Sequence, residues 1–129
     1  MRAHDAAVEV LADGMARLGL LQGSAAEIVE SGSYRRYFVH RTSHWLGMDV
    51  HDVGPRTRAG RGPMLRPGMV LTVEPGLYIP PADLRVPPIY RGLGVRIEDD
   101  VLVTPDGCRV LTASLPKRAT AVERLVRFG

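Results

Sequence analysis

Residues His40–His51, reading His-Arg-Thr-Ser-His-Trp-Leu-Gly-Met-Asp-Val-His, gather three of the chain's four histidines into twelve positions. Two carboxylates follow, Glu74 and Glu98, each set in an otherwise apolar, β-like run. Imidazoles and carboxylates from separate segments supply the nitrogen and oxygen donors of a metal site, so the fold must bring those segments together. The inventory is also short. One histidine and two glutamates are too few to hold a two-metal centre, and the chain reads as part of a site.

At 129 residues the chain fits one domain with a real core. Its net charge is +3, with arginine far outnumbering lysine. The basic residues Arg35, Arg36, Arg56, Arg58, Arg61 and Arg66 are scattered among glycines and prolines. A nucleic-acid surface brings a denser cluster with interleaved aromatics, so nucleic acid is not an expected partner. Cys108 is the only cysteine, which excludes an intrachain disulfide and points to a reducing cytoplasm. Asp5, Glu9 and Asp13 interrupt the apolar stretch a signal segment needs. No run is long enough to span a bilayer, so no membrane association is expected.

Ala7, Leu11, Met15 and Leu18, with Val8 beside them, recur at helical spacing and predict an amphipathic helix over Asp5–Leu21, ended by Gly19 or Gly23. Ala25–Ser31 predicts a second, short helix. Tyr34–His40 fits either a helix end or an extended segment. Gly47 and Gly54 mark backbone turns, and Pro55–Pro67 reads as a surface loop. Met69–Pro75 and Gly76–Ile79 predict strands with a bend after Glu74, because Pro75 cannot donate to a ladder. Pro80–Pro88 is a loop. Gly94–Val103 predicts one continuous strand, Thr104–Gly107 a turn, Arg109–Leu111 its hairpin partner and Ala121–Phe128 a closing helix.

Alternation along Gly94–Val103 sends Arg96, Glu98 and Asp100 to one face, placing a guanidinium beside Glu98. That arrangement serves either to steer a ligand carboxylate or as a solvent-facing ion-pair row. Glu74 follows Val70, Leu71 and Val73. In a buried strand its ionised carboxylate costs, roughly, several kcal/mol unless a metal or an arginine offsets it. His40 and His44 would share one face if their segment were helical. Asp49 or Asp52 could orient the His51 ring. Trp45 reads as core and His4 as structural or exposed. Asp99 and Asp100 fit a solvated strand end better than a ligand pair, and Tyr78 and Tyr90 have no role assignable from pattern.

Three blocks together resemble the C-terminal half of aminopeptidase P, the Xaa-Pro aminopeptidase branch of the pita-bread metallopeptidases. They are Ser-His-Trp-Leu-Gly-Met-Asp-Val-His-Asp-Val-Gly at 43–54, Leu-Arg-Pro-Gly-Met-Val-Leu-Thr-Val-Glu-Pro-Gly-Leu-Tyr at 65–78, and Tyr-Arg-Gly-Leu-Gly-Val-Arg-Ile-Glu-Asp-Asp-Val-Leu-Val-Thr at 90–104. The resemblance implies an α+β pita-bread half-domain, mostly antiparallel curved sheet packed with helices. It implies His44, Glu74 and Glu98 as metal ligands, His40 and His51 lining the substrate site, Glu74 also moving the proton of the attacking water, and Arg96 holding a ligand from behind. The complete site would carry two divalent ions, Mn²⁺ foremost, and a metal-bridged hydroxide would hydrolyse the N-terminal Xaa-Pro bond of peptides with proline second. The family's two aspartate ligands and its N-terminal domain have no counterpart in residues 1–129, which match the C-terminal part of the catalytic domain.

Charge counting agrees: two divalent ions carry four positive charges, and Glu74 and Glu98 return two. The chain alone is therefore expected to bind metal weakly and to turn over little. Open sheet edges predict association, with a second copy or with a complementing N-terminal half. Two further readings are a prolidase-like dipeptidase fragment and a non-enzymatic peptide- or protein-binding module of the same fold. The persistence of His44, Glu74 and Glu98 ranks the module below an enzyme.

Overall fold

The structure, a computed structural model, describes residues 3–54 and 62–128. Ten short elements follow in order: helix α1 (Ala3–Arg17), helix α2 (Ala25–Ser31), a 3₁₀ turn (Ser33–Arg36), strands β1 (Val70–Val73) and β2 (Gly76–Tyr78), a second 3₁₀ turn (Pro88–Tyr90), strands β3 (Gly94–Arg96), β4 (Asp99–Thr104) and β5 (Gly107–Val110), and helix α3 (Ala119–Phe128). Among the described residues all strand pairing is antiparallel, giving a three-stranded sheet in the order β1-β4-β5 and a two-stranded sheet of β2 and β3. Among the described residues no helix is long and apolar enough to cross a membrane. The chain divides into two compact units, one of residues 1–43 and 74–96, the other of residues 44–73 and 97–129.

The first unit holds the hydrophobic core. Val8, Ala12 and Met15 form the buried stripe of α1, and Ile28 anchors α2. The predicted stripe holds at Val8 and Met15 but ends sooner, because the helix stops at Arg17 and Leu18 is left exposed. Asp5 in the first turn and Arg17 in the last complement the helix dipole. Ser24 and Glu27 close a reciprocal capping box on α2, with Glu27 N–H donating to Ser24 Oγ at 3.3 Å and Ser24 N–H to Glu27 Oε2 at 2.7 Å. Those bonds to the Ser24 backbone and hydroxyl hold the Glu27 carboxyl below the usual carboxylate range. Gly32 ends α2 in the left-handed region at φ 69°. The undecided segment after it turns as a 3₁₀ helix over Ser33–Arg36 and buries Tyr34, Tyr37 and Phe38.

Tyr37 also organises the loop expected at 80–88. Its hydroxyl donates to Asp83 Oδ2 at 3.0 Å, and Arg85 clamps the same carboxylate through Nε at 2.7 Å and Nη2 at 2.9 Å. Hydrogen bonding from Arg85 holds the Asp83 carboxyl far below the usual range, against the opposing effect of burial. Burial, then the Asp83 contact, pushes the Tyr37 phenol up.

The second unit is built on the β1-β4-β5 ladder, with Leu71 opposite Val101 and Val101 opposite Val110. Its turn at 105–106 and the return strand fall where the sequence predicts them. Trp45, expected in the core, is only half-buried and lies outside the core cluster. Its backbone bridges to Leu71 and Asp52, and a Cβ added at Gly54 would collide with its indole, so Gly54 is required by close approach rather than by a turn. The expected loop at Pro55–Pro67 lies outside the described residues over 55–61, and its described remainder, 62–67, holds no helix or strand.

Candidate metal centre

The histidine segment is extended rather than helical. Leu46 N–H donates to Val70 O (3.2 Å), Thr72 N–H to His44 O (3.0 Å) and Glu74 N–H to Thr42 O (2.8 Å). The segment therefore lies along β1 and its continuation like a short extra strand, and the condition under which His40 and His44 would share a helical face is not met. Thr72, 1% exposed, uses its hydroxyl to accept the His44 N–H at 3.0 Å. The His44 ring places Nδ1 2.9 Å from the Trp45 carbonyl. A carbonyl can only accept, so the neutral ring carries its proton on Nδ1 and its lone pair on Nε2, the form a metal ligand needs. The His51 ring lies edge-on to His44, centroids 4.4 Å apart. Asp52 turns to the backbone, accepting N–H groups of Met48 (3.1 Å) and Val53 (2.8 Å).

Glu74 is the residue directly after β1, and it is only 7% exposed. The expected bend follows at Pro75, where one ladder stops and β2 starts on another. The sequence demanded a metal or an arginine beside this carboxylate. The arginine is Arg96, whose Nη1 lies 3.5 Å from Glu74 Oε2. Arg96 Nε also donates to Tyr78 Oη at 2.7 Å, and Tyr78 Oη lies 3.0 Å from His40 Nε2. His40 Nδ1 faces the Arg41 carbonyl at 2.8 Å, which fixes its proton there and leaves Nε2 to accept from Tyr78. A continuous polar line thus runs His40–Tyr78–Arg96–Glu74.

Two expectations change here. Gly94–Val103 is not one strand, because β3 stops at Arg96 and β4 starts at Asp99. The alternation that was to seat Arg96 beside Glu98 is therefore broken, and the ion pair is formed with Glu74 instead. Asp99 is not a solvated strand-end acid. It accepts from Thr112 Oγ1 at 2.6 Å and pairs with Lys117 Nζ at 2.7 Å, with Lys117 first and Thr112 next in holding its carboxyl low. Glu98 lies in the gap between β3 and β4 and is exposed.

Val73 pairs with Asp99, so Glu74 and Glu98 each adjoin a member of the same cross-strand pair, while Thr72 holds His44 one residue earlier. One ligand atom from each of His44, Glu74 and Glu98 lies within 4.8 Å of the other two. One imidazole nitrogen and two carboxylate oxygens form a donor set that suits a hard or borderline divalent cation, and nothing in it favours a thiophilic metal. Tyr78, Thr42 and Thr72 were missed by sequence reasoning. Their bonds span 18 to 38 residues and leave no local periodicity to find.

Residues 1–105 match the profile of metallopeptidase family M24. The chain belongs to metallopeptidase family M24. It is 53% identical over 121 residues to Xaa-Pro aminopeptidase 1 of Streptomyces coelicolor, covering 93% of this chain and 25% of that one. It is 49% identical over 119 residues to the Xaa-Pro aminopeptidase of Escherichia coli, covering 92% and 26%. Among solved structures it is similar to the aminopeptidase PepP of Pseudomonas aeruginosa, with a TM-score of 0.88, 49% identity, and 96% of this chain matched to 28% of that one. It is also similar to a zinc-substituted aminopeptidase P of Escherichia coli in complex with product, with a TM-score of 0.83, 48% identity, and coverage of 93% and 27%. The M24 chain described here thus spans about a quarter of the length of these relatives, and its α+β architecture is that of their pita-bread fold.

Proposed function

We propose that this M24 chain forms part of the catalytic region of an Xaa-Pro aminopeptidase, with His44, Glu74 and Glu98 as ligands to divalent cations, manganese foremost. The convergence of their three ligand atoms within 4.8 Å carries the reading. The relatives named Xaa-Pro aminopeptidase support the substrate class, peptides with proline second. When bound, the cations supply a Lewis acid and a water acidic enough to lose its proton near neutrality. Glu74 receives that proton at its carboxylate and passes it toward the leaving amine. Arg96 holds the Glu74 carboxylate in place, and Tyr78 holds Arg96. His51 presents a ring N–H to the carbonyl oxygen where negative charge develops, while His40, its own N–H held by the Arg41 carbonyl and its Nε2 by Tyr78, lines the substrate side at the end of the polar line to Glu74.

Two carboxylates neutralise half the charge of two divalent cations, so the chain alone binds them weakly and turns over little. Two further carboxylates from outside residues 1–129 complete the centre in this reading. Titration of the purified chain with Mn²⁺, followed by assay on an Xaa-Pro peptide, tests it. Weak binding that Glu98→Gln lowers by on the order of tenfold or more is the expected result. Binding indifferent to His44→Ala and Glu98→Gln alike would overturn the assignment.

Association completes the proposal. In α3, Val122 (41% exposed), Leu125 (57%) and Val126 (80%) expose apolar side chains at helical spacing, and among the described residues β5 is a sheet edge. Such surface favours a second copy or a complementing half, and light scattering that returns a monomer at high concentration would count against it. The exposed, unpaired Cys108 is compatible with a reducing cytoplasm, where we place the protein.

A further inference from the structure

His4 stands in α1, far along the chain from every candidate ligand, yet two separate lines of contact lead from its ring to Glu74, both inside the unit of residues 1–43 and 74–96. The first is polar. His4 Nδ1 lies 2.8 Å from Thr42 Oγ1, Thr42 is 1% exposed, and the Thr42 carbonyl accepts the Glu74 N–H at 2.8 Å. The second runs through rings. His4 packs against Phe38 at 5.5 Å between centroids, and Phe38 meets His40 edge-on at 5.4 Å. His40 then reaches the Glu74 carboxylate through Tyr78 and Arg96 at 3.0, 2.7 and 3.5 Å. One line therefore ends on the backbone of Glu74 and the other on its side chain.

We propose that His4 is a positioning residue for Glu74, holding Thr42 so that its carbonyl fixes the Glu74 main chain, and bracing Phe38 and His40 behind the pair that holds the carboxylate. This rests on the reading of Glu74 as a cation ligand. The chemistry of the contact explains the residue type. A purely apolar neighbour would satisfy Phe38, but the buried Thr42 hydroxyl requires a polar partner. Burial, then the nearby Arg41, lowers the His4 pKa and keeps its ring neutral at pH 7, so one ring nitrogen meets the hydroxyl without a buried charge. A ligand carboxylate must be held to within roughly 0.5 Å, and a backbone fixed on one side with a side chain fixed on the other achieves that.

Amide hydrogen exchange on the metal-free full chain tests the proposal, with the Glu74 amide as reporter and the Thr72 amide, bonded to His44, as reference. His4→Phe keeps the ring contact and removes the hydrogen bond. It is expected to speed exchange at Glu74 about fivefold, the worth of one hydrogen bond, while Thr72 stays where it was. His4→Asn, which can again reach the Thr42 hydroxyl, should restore protection. Thr42→Val should reproduce the effect, with no further change in the double variant, and it replaces His4→Phe as the decisive variant should the latter fail to fold. Acceleration of both amides together, no acceleration, or failure of Asn to rescue would each overturn the proposal. Manganese titration of the same variants separates it from the reading it rests on. A parent chain that takes no manganese overturns the metal assignment and leaves the exchange result standing. A parent chain that binds, with affinity lowered about fivefold in His4→Phe, supports both. Equal affinity in parent and variant overturns the link from His4 to cation binding.

Discussion

The unit of residues 1–43 and 74–96 buries Ala12, Met15, Tyr37 and Ile28 to 1% exposure or less, whereas the described residues of the other unit bury only Leu71 and Thr72. The first has two helices closing over aromatic side chains. The second is a three-stranded ladder whose β4 residues are all half-buried and whose β5 residues are all exposed. Hydrophobic burial thus secures one unit, while the other depends on backbone pairing and a few polar clusters such as Thr112–Asp99–Lys117. Glu74 lies in the cored unit, yet Arg96 and the Thr42 carbonyl hold it rather than the apolar core. The placement of this candidate ligand and the stability of the unit therefore need not fail together.

The largest expected effect comes from the core. Met15→Ala should cost about 2–5 kcal/mol through lost contacts and a cavity, against about 1 kcal/mol for Val103→Ala on the half-buried ladder. Urea midpoints measure both, and equal costs would break the contrast between the units. Next, Glu98→Gln should weaken manganese binding by on the order of tenfold or more, at least the loss seen when a ligand's supporting partner is removed, while moving the urea midpoint little. Calorimetric titration beside a melt reads the two quantities, and a parallel fall in both would merge what is here separated.

Acid sharpens the comparison further. The folded-state pKa of Asp83 is depressed, so the unfolded chain binds its proton first as pH drops. The stabilisation is intact above about pH 4, the unfolded carboxylate range, and is lost progressively below it. Asp99 follows the same sign. Its side chain is 27% exposed against 3% for Asp83, so Asp83→Asn should flatten the acid limb of the stability curve more than Asp99→Asn does. The smallest effect is local. Ser24→Ala opens the capping box and should cost about 1 kcal/mol, detectable as a shift in thermal midpoint with metal affinity unchanged.

Much of this was legible in the sequence wherever the signal was local. The helical spacing of Val8 and Met15, the Pro75 bend and the hairpin turn all depend on residues a few positions apart. The failures share a cause of the opposite kind. The run Gly94–Val103 looks uniformly strand-like, yet it divides at Ile97–Glu98 because β3 and β4 pair with different partners. Trp45 looks like core, but its segment follows β1 along the unit that buries least. Tyr78 had no pattern to mark it, and its importance emerges only when His40 and Arg96 arrive from opposite directions along the chain. Glu74 was ambiguous between an edge and a buried strand; it stands just past the end of β1, buried, with partners at Thr42 and Arg96 that lie 32 and 22 positions away and leave no local signal.

The Pro75 break has a consequence for how this chain can vary. Side chains in a strand point alternately to opposite faces, so gaining or losing a single residue between Val70 and Glu74 would swing the acid away from His44 and Glu98. Pro75 lacks the amide that a shifted pairing would recruit, which removes the easy way to absorb such a slip. Between the turn at 67–68 and the proline, the number of residues is constrained as tightly as their identity: substitutions there can be conservative, insertions and deletions cannot.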